Sequence, residues 1–267
     1  MAIVLENLEF GYDGKPVISK ADVTFAEGNV HLILGRTGSG KTTLALLMAG
    51  LLRPTAGRIL VDGVQPTDSK FDRRWLQLAF QFPEAQIFES TVEREIAFGL
   101  KNFGVEISDR LRWACGCVGI GEDLLKRDPV TLSFGERRRV ALASVIALQP
   151  RYLLLDEPLA GLDWIGRHQL VNTIDRLSRE GITILILTHE TDMIGEIGDT
   201  VTTLENGQLS PCLEISDFLV QEQDDSWLVP DHISLLRRIA SAGIEIDHSA
   251  VRIDEVAKAI VSAVRRD

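Results

Sequence analysis

Residues 30–43 read VHLILGRTGSGKTT. The first five, at 30–34, are almost all apolar, which is typical of a strand buried on both faces. Residues 35–42 match G-x-x-x-x-G-K-[ST], a phosphate-binding pattern in which glycines let backbone N–H groups converge on phosphate oxygens. An apolar segment at 41–52 predicts a helix, ended by Arg53-Pro54. Strand, loop and helix in this order predict an α/β fold with a phosphate site at the helix N-terminus.

The loop residues have separate expected uses. Lys41 is expected to reach the β and γ phosphates, and the Thr42 hydroxyl is expected to ligate Mg²⁺. The residues predicted to bind the nucleotide here are Gly35, Arg36, Thr37, Gly38, Ser39, Gly40, Lys41, Thr42 and Thr43. An ordinary glycine-rich turn is the alternative, and the flanking strand and helix argue against it.

A second apolar segment ends in two carboxylates. Residues 152–158 read YLLLDEP, and they predict a buried strand followed by Asp156 and Glu157. Asp156 is placed to hold Mg²⁺ through its water shell, as in other enzymes with this loop. Glu157 is placed to take a proton from attacking water. A solvated turn is the alternative for two adjacent acids.

The composition limits the classes of function. The 267 residues suffice for one large domain with an appendage. With 28 Lys+Arg and 39 Asp+Glu the net charge is −11, so non-specific binding to nucleic acid is not expected. Cys115, Cys117 and Cys212 lack metal-ligand spacing and suggest a reducing compartment. The N-terminus lacks a signal-peptide pattern, and no apolar run reaches the roughly 18 residues that span a bilayer, so we expect a soluble, cytoplasmic protein.

The periodicity of apolar residues indicates the order of strands and helices along the chain. Alternating apolar residues over 1–29 predict an antiparallel β region, and Asp62-Gly63 predicts a further hairpin. From about 84 to 149 the pattern is helical, which predicts an inserted helical subdomain. Apolar strands at 152–155 and 182–187, separated by a helix, predict a parallel sheet covered by helices.

The C-terminal part is predicted to be separate from this unit. Asn206-Gly207 predicts a last hairpin, and the division is placed between 1–210 and 211–267. Beyond an acidic linker at 222–225, apolar spacing predicts amphipathic helices over 233–240 and 253–264. Two short helices cannot form a core alone, so they are expected to dock on another surface.

Further motifs resemble those of ABC ATPases. Residues 132–138, LSFGERR, resemble the LSGGQ signature of that family. Gln81 resembles its Q-loop glutamine, and residues 160–163, AGLD, resemble its D-loop. Thr188-His189 resembles the switch histidine, and Tyr12 the aromatic residue that stacks on adenine. These motifs occur in the family's order.

The resemblance implies a fold and a division of roles. The fold would be a RecA-like mixed-sheet core, an antiparallel β subdomain, an inserted helical subdomain and a small C-terminal helical extension. Gln81 would position the lytic water, contribute to Mg²⁺ binding and sense a membrane partner, and His189 would contact the γ-phosphate. Ser133 and Gly135 would bind nucleotide held by a second ATPase subunit. The cofactors implied are ATP and Mg²⁺.

Residues 80–88, FQFPEAQIF, continued at 91–92 and 96–99, are similar to ATPase subunits of energy-coupling factor (ECF) importers of vitamins and of cobalt or nickel ions. The C-terminal pattern from Leu235 onward is also similar, and there it holds two ATPases together. The implied partners are a second ATPase subunit, identical or related, a transmembrane coupling subunit and a substrate-binding membrane subunit. The resemblance thus implies a peripheral protein on the cytoplasmic face of the membrane, with no nucleic-acid partner.

Three alternatives remain. One is the ATPase of another ABC importer, which would share most of these motifs. Another is a non-transport ABC ATPase acting on nucleic acid or ribosomes. Against it, the region between the loop and the signature lacks a sustained heptad pattern, and the chain is acidic with one cassette. A purely regulatory nucleotide binder would be expected to lack Glu157 or His189, and both are present.

The signature departs from the family pattern at Phe134, where a glycine is expected. A bulky side chain there would limit the approach of backbone to a phosphate. Ser133 and Glu136 also satisfy the capping-box pattern, so the Ser133 hydroxyl is expected to compete between a helix cap and a phosphate.

Overall fold

The computed structural model describes residues 1–82, 87–221, 226–242 and 252–264. The strands are β1 (Ala2–Tyr12), β2 (Lys15–Ala26), β3 (Val30–Leu34), β4 (Ala56–Val61), β5 (Leu76–Ala79), β6 (Tyr152–Asp156), β7 (Thr183–Thr188), β8 (Thr200–Glu205), β9 (Gln208–Leu209) and β10 (Leu213–Glu214). The helices are α1 (Lys41–Met48), α2 (Val92–Asn102), α3 (Ser108–Val118), α4 (Glu122–Leu125), α5 (Phe134–Ile146), α6 (Trp164–Arg179), α7 (Met193–Glu196), α8 (Ile215–Gln221), α9 (Asp231–Ser241) and α10 (Ile253–Val264). The linker expected at 222–225 lies outside the described residues.

The central sheet has the order β10-β8-β3-β7-β6-β5, with β9 paired to β8. Strands β8, β3, β7, β6 and β5 are parallel to one another, and every residue of β3, β6 and β7 is buried. The buried parallel sheet predicted from apolar strands is confirmed. Leu34 pairs with Thr188, and Asp156 pairs with Leu187. The carboxyl ends of β3, β6 and β7 therefore lie side by side.

The N-terminal region forms a three-stranded antiparallel sheet, in the order β2-β1-β4. The turn expected at Asp62-Gly63 is present, but it closes a single antiparallel bridge, Val61 to Val64, and the extended pairing of β4 is with β1. The polar residues that follow form no second strand. Asp62 instead receives hydrogen bonds from the Ala2 N–H and the Tyr152 hydroxyl, which tie this sheet to β6.

Helices predominate between strands β5 and β6. Over 87–149 the described residues contain helices α2 to α5, with a 3₁₀ turn at 129–131 and no strand. Cys115 and Cys117 lie buried on α3, and burial raises the pKa of the Cys115 thiol to about 11. Both thiols are therefore packing groups. The boundaries at 84, 149 and 210 stay predictions.

The C-terminal segments pack onto the main body. Strand β10 is antiparallel to β8, and α8 contacts both strands. Helices α9 and α10 contact each other, and Ile233, Leu236 and Val256 are buried in the same apolar cluster as the central sheet. The two predicted amphipathic helices thus dock, at least in part, on their own chain. In the described ranges, no helix is long and apolar enough to cross a lipid bilayer.

Candidate nucleotide site

The loop between β3 and α1 has a shape that only glycine permits at several positions. Gly38 and Gly40 have φ values of 84° and 105°, in the left-handed region that favours glycine. A Cβ atom at Gly40 would lie 2.9 Å from Val17 Cγ1. At Gly35 it would lie 2.7 Å from the Leu204 carbonyl oxygen. The glycine spacing thus lets the loop lie closely against β2 and β8.

Lys41, the first residue of α1, lies inside this loop. Its Nζ donates hydrogen bonds to the carbonyl oxygens of Gly35 (2.7 Å) and Arg36 (3.2 Å). The same atom lies 3.0 Å from Glu157 Oε1, and both side chains are at most 10% exposed. A buried ion pair of this kind is costly unless its remaining donors and acceptors are satisfied, as they are here.

Thr42 and Asp156 meet where β6 ends beside α1. Thr42 Oγ1 donates to Asp156 Oδ2 at 2.7 Å, while the buried Asp156 Oδ1 has no hydrogen-bond partner among the described residues. Burial raises the pKa of the Asp156 carboxyl. The half-buried Gln81 follows β5 closely. Hydroxyl, amide and carboxylate oxygens are ligands that suit Mg²⁺, so the donor set and the unsatisfied Oδ1 fit that ion.

Glu157 adopts a left-handed backbone conformation, with φ of 46°. Its N–H donates to the Leu187 carbonyl at 2.8 Å. Arg138 on α5 donates to the carbonyl oxygens of Glu157 and Pro158, and to that of Ala160 at 2.7 Å. These bonds hold the segment after β6 in a conformation that is rare for a residue with a side chain.

The Glu157 carboxylate is also bound from β7. Thr188 Oγ1 donates to Glu157 Oε2 at 3.1 Å, and His189 Nδ1 lies 3.0 Å from the same oxygen. A carboxylate oxygen accepts, so Nδ1 carries the proton in this contact. Glu157 therefore joins Lys41 to His189, and three residues predicted separately from the sequence form one connected group.

Sequence reasoning missed several supporting residues. Arg138 and Thr188 bind Glu157, and Arg167 on α6 pairs with Glu190 (2.6 Å) and Glu196 (3.3 Å), beside His189. In the sequence, Thr188 is recognisable only as the neighbour of His189. A hydroxyl side chain next to a predicted catalytic residue is a signal from which a supporting role of Thr188 could have been predicted. Arg138 and Arg167, in contrast, cannot be distinguished in the sequence from ordinary surface charges.

The signature segment forms the N-terminus of α5. The full capping box is present: Ser133 Oγ accepts from the Glu136 N–H at 3.3 Å, and the Ser133 backbone N–H donates to Glu136 Oε2 at 2.8 Å. The Ser133 hydroxyl also donates to Glu136 Oε2, at 2.7 Å. The helix-cap alternative for Ser133 is confirmed. The Phe134 ring is 39% exposed and lies near the D-loop, since a Cβ at Gly161 would be 3.9 Å from it. Gly135 is half-buried and follows in the first turn.

A cavity of 780 Å³ opens beside the loop, within the usual size range of ligand pockets. It is lined by Pro16, Val17, Arg36, Thr37, Gly38, Ser39, Leu204, Glu205, Asn206, Gly207 and Trp227. Tyr12 is not among its lining residues. Tyr12 lies half exposed at the end of β1. Its ring centroid is 4.9 Å from that of Phe10, in an edge-to-face arrangement.

Comparisons with known proteins identify the family of the chain. A family model described as "ABC transporter" matches residues 18–160. The energy-coupling factor transporter ATP-binding protein EcfA2 of Streptococcus pneumoniae is 37% identical over 273 residues, covering 96% of this chain and 98% of that protein. EcfA2 of Clostridium perfringens is 34% identical over 284 residues and 100% of both chains.

A solved structure is also similar. It is cbiO1 from Clostridium perfringens, described as part of the ABC transporter complex cbiONQ. It matches with a TM-score of 0.75 and 30% identity, over 90% of this chain and 94% of that one. The expected fold class, with its mixed sheet and ABC-type nucleotide-binding architecture, is confirmed. The chain therefore belongs to the ABC transporter ATPases, as an ATP-binding and ATP-hydrolysing protein of the energy-coupling factor type.

Proposed function

We propose that this protein energises an ECF-type importer for a vitamin or a transition-metal ion such as cobalt or nickel, from the cytoplasmic face of the membrane. The observation that carries the chemistry is the connected group in which the buried pair Lys41 and Glu157 meets the half-exposed His189. The near full-length match to ECF transporter ATP-binding proteins supports the transport role.

ATP binding is assigned to residues 35–43 and to Tyr12. Backbone N–H groups of the loop and the α1 N-terminus face the phosphates, and Lys41 Nζ neutralises part of their charge. Thr42, Asp156 and Gln81 would hold Mg²⁺, with Asp156 acting through water. The ion, when bound, supplies positive charge that stabilises the phosphate oxygens. Tyr12, exposed at the end of β1, offers its ring to the adenine.

Hydrolysis is assigned to Glu157, His189 and Gln81. The Glu157 carboxylate takes the proton of the attacking water, and the bond from Arg138 to the Glu157 carbonyl holds the backbone that carries this carboxylate. His189, with its Nδ1 proton directed at Glu157, presents the rest of its ring to the γ-phosphate. Gln81 orients the water. These contacts position groups before reaction, which is the basis of most electrostatic catalysis.

The site is proposed to be completed by a second ATPase subunit, identical or related. Ser133 and Gly135 lie at the N-terminus of α5, where backbone N–H groups attract an anion. The Ser133 hydroxyl is already engaged with Glu136, so the backbone provides the main attraction. ATP held between two subunits in this way links binding and hydrolysis to closing and opening.

The membrane partner is proposed to dock beside Gln81. Phe82, the residue after Gln81, is 54% exposed. Phe88 is 65% exposed, and its ring centroid lies 4.7 Å from that of Phe98 in an edge-to-face arrangement. Ile87, in contrast, is half-buried and packs against the core. Pro83, in the same stretch of sequence, lies outside the described residues. Exposed aromatic rings are frequent in protein interfaces. We infer that Phe82 and Phe88, which follow Gln81 in the sequence, contact helices of a transmembrane coupling subunit, so that conformational change in the ATPase is transmitted to that subunit.

Mild-detergent purification of the tagged protein from its native membrane tests this function. We expect a multi-spanning coupling subunit and a small substrate-binding membrane protein to co-purify in fixed ratio, identified by mass spectrometry. The double variant Phe82→Glu with Phe88→Glu is expected to lose both while its soluble ATPase activity remains. Val220→Glu is the control, since Val220 is 85% exposed on α8. Salt-sensitive retention of DNA or ribosomes instead of membrane proteins would favour the non-transport alternative.

A further inference from the structure

Trp227 belongs to the C-terminal segment, yet it lines the cavity beside the phosphate-binding loop. It lies between α8 and α9, outside every motif discussed above. The next two residues, Leu228 and Val229, are buried in the large apolar cluster of the central sheet. The backbone that carries Trp227 is therefore anchored to the core, and the indole has a defined position.

Two contacts hold the indole ring. Its Nε1 donates to Glu205 Oε1 at 3.1 Å, at the end of β8. Its face lies against the Arg36 guanidinium, whose Cζ is 5.4 Å from the ring centroid, a cation–π distance. Glu205 and Arg36 both line the same cavity as Trp227. The ring thus joins the last strand of the core to the phosphate-binding loop.

The contact leaves the charge of Arg36 available. A ring stacked on a guanidinium face uses none of its five N–H donors, which stay free for an anion. Among the described residues no carboxylate forms an ion pair with Arg36, whose side chain is exposed at the cavity. A guanidinium that forms no ion pair among the described residues, at the rim of a phosphate site, attracts the negative charge of ATP.

We propose that Trp227 is a positioning residue, which holds the Arg36 guanidinium toward the nucleotide so that the C-terminal segment contributes to ATP affinity. This proposal rests on the assignment of ATP to the loop at 35–43. By linkage, ATP bound at Arg36 stabilises the segment around Trp227 to the same extent.

A double-mutant cycle on the full-length chain tests this role, with ATP dissociation constants measured by calorimetry. Trp227→Ala is expected to weaken ATP binding by about 3- to 10-fold. In an Arg36→Ala background the same change should have no further effect, because Trp227 acts through Arg36. Trp227→Phe keeps a ring face and should restore most of the affinity. Equal affinity in Trp227→Ala, or additive effects of the two changes, would overturn the proposal.

Trp113→Ala is the matched control. Trp113 on α3 makes a similar indole-to-carboxylate bond, to Glu180 at 2.6 Å, away from the cavity lining. If Trp227→Ala does not fold, the proposal is tested by tryptophan fluorescence, measured with and without ATP on the wild type, Arg36→Ala and Trp227→Phe. ATP should shift the emission of the wild type, and the shift should be absent in Arg36→Ala and Trp227→Phe at saturating ATP. No shift in the wild type, an identical shift in Trp227→Phe, or a shift that persists in Arg36→Ala would overturn the proposal, because ATP would then not be sensed by Trp227 through Arg36.

Lys41→Ala separates this proposal from the assignment of the ATP site. If Lys41→Ala loses ATP binding while Trp227→Ala binds normally, the site stands and the role of Trp227 is wrong. If the wild type and Lys41→Ala bind ATP equally, the site assignment itself is wrong.

Discussion

Glu157 carries the main chemical prediction at the residue scale. Its left-handed backbone has an energetic cost of order 1–3 kcal/mol, and the hydrogen bonds from Arg138 offset it. In this conformation the Glu157 carboxylate contacts Lys41, Thr188 and His189 simultaneously. A residue in an ordinary extended conformation after β6 would direct its side chain differently.

Glu157→Gln is expected to lower ATP hydrolysis by ~10²- to 10⁴-fold, because the amide cannot accept the proton of water. ATP binding should remain, since Lys41 keeps its carbonyl partners Gly35 and Arg36. Steady-state phosphate release and ATP calorimetry measure the two effects. Lys41→Ala serves as the contrast, with weakened binding. Normal turnover in Glu157→Gln would remove Glu157 from the mechanism.

Phe134 is the second residue with a specific expectation. Its partly exposed ring, near Gly161, occupies the surface where a signature glycine would let a partner's γ-phosphate approach. Phe134→Gly is expected to raise ATPase activity in the assembled complex when the other site is disabled. Phe134→Leu, which keeps a bulky side chain, should not. An unchanged or lower rate in Phe134→Gly would show that the ring does not hinder the contact.

At the element scale, His31 links three strands of the two sheets. On β3, its Nε2 lies 2.7 Å from the Ala26 carbonyl of β2, so Nε2 carries the proton. Its Nδ1 then accepts from the Thr200 hydroxyl of β8 at 2.6 Å. Both partners suit a neutral ring, and burial lowers the pKa of His31 below its usual 6.5. The native protein therefore resists protonation of this ring.

The sign of the resulting pH dependence follows from linkage. Below about pH 6.5 the unfolded chain binds a proton at His31 that the folded chain does not, so the free energy of unfolding falls as the pH drops toward the lowered pKa. We expect His31→Gln to be less stable near neutrality but to lose this part of the acid sensitivity. Urea unfolding of both proteins between pH 5 and about 8 measures it. Parallel curves would mean that His31 does not titrate differently on folding.

At the scale of the whole molecule, the C-terminal helices have two apolar surfaces. One is buried against the chain's own core through Ile233, Leu236 and Val256. The other includes Leu235 on α9 and Val261 on α10, which are 48% and 49% exposed. Removing the segment would uncover the core as well as any subunit contact, so point changes on the exposed surface test dimerisation more cleanly.

Leu235→Asp combined with Val261→Asp is expected to convert a nucleotide-free dimer into a monomer, because charges would be desolvated at the contact. Sedimentation of the full-length protein without nucleotide measures the mass, and circular dichroism checks the fold. ATP affinity should be unchanged. Val220→Asp, on the exposed side of α8, should stay dimeric. A wild-type monomer, or a double variant that remains dimeric, would exclude these helices as the contact.

Much of the fold could be predicted because its signals are local. Apolar runs at 30–34, 152–155 and 182–187 determine buried strands, since no other structure hides every side chain. The glycines at 35–40 and Lys41 determine the loop, because its conformation excludes larger residues. Capping at Ser133 was likewise readable from a three-residue spacing.

Only the tertiary structure decided which distant groups meet. The extended partner of β4 is β1, and the segment after Asp62-Gly63 adds only the Val61–Val64 bridge, because strand pairing depends on long-range packing more than on a local turn. The contacts of Arg138 with the Glu157 backbone and of Trp227 with Arg36 join residues far apart in the chain. Their side chains have no periodicity that distinguishes them from surface groups. Composition and spacing determined the chemistry of the site, and long-range packing selected the residues that hold it.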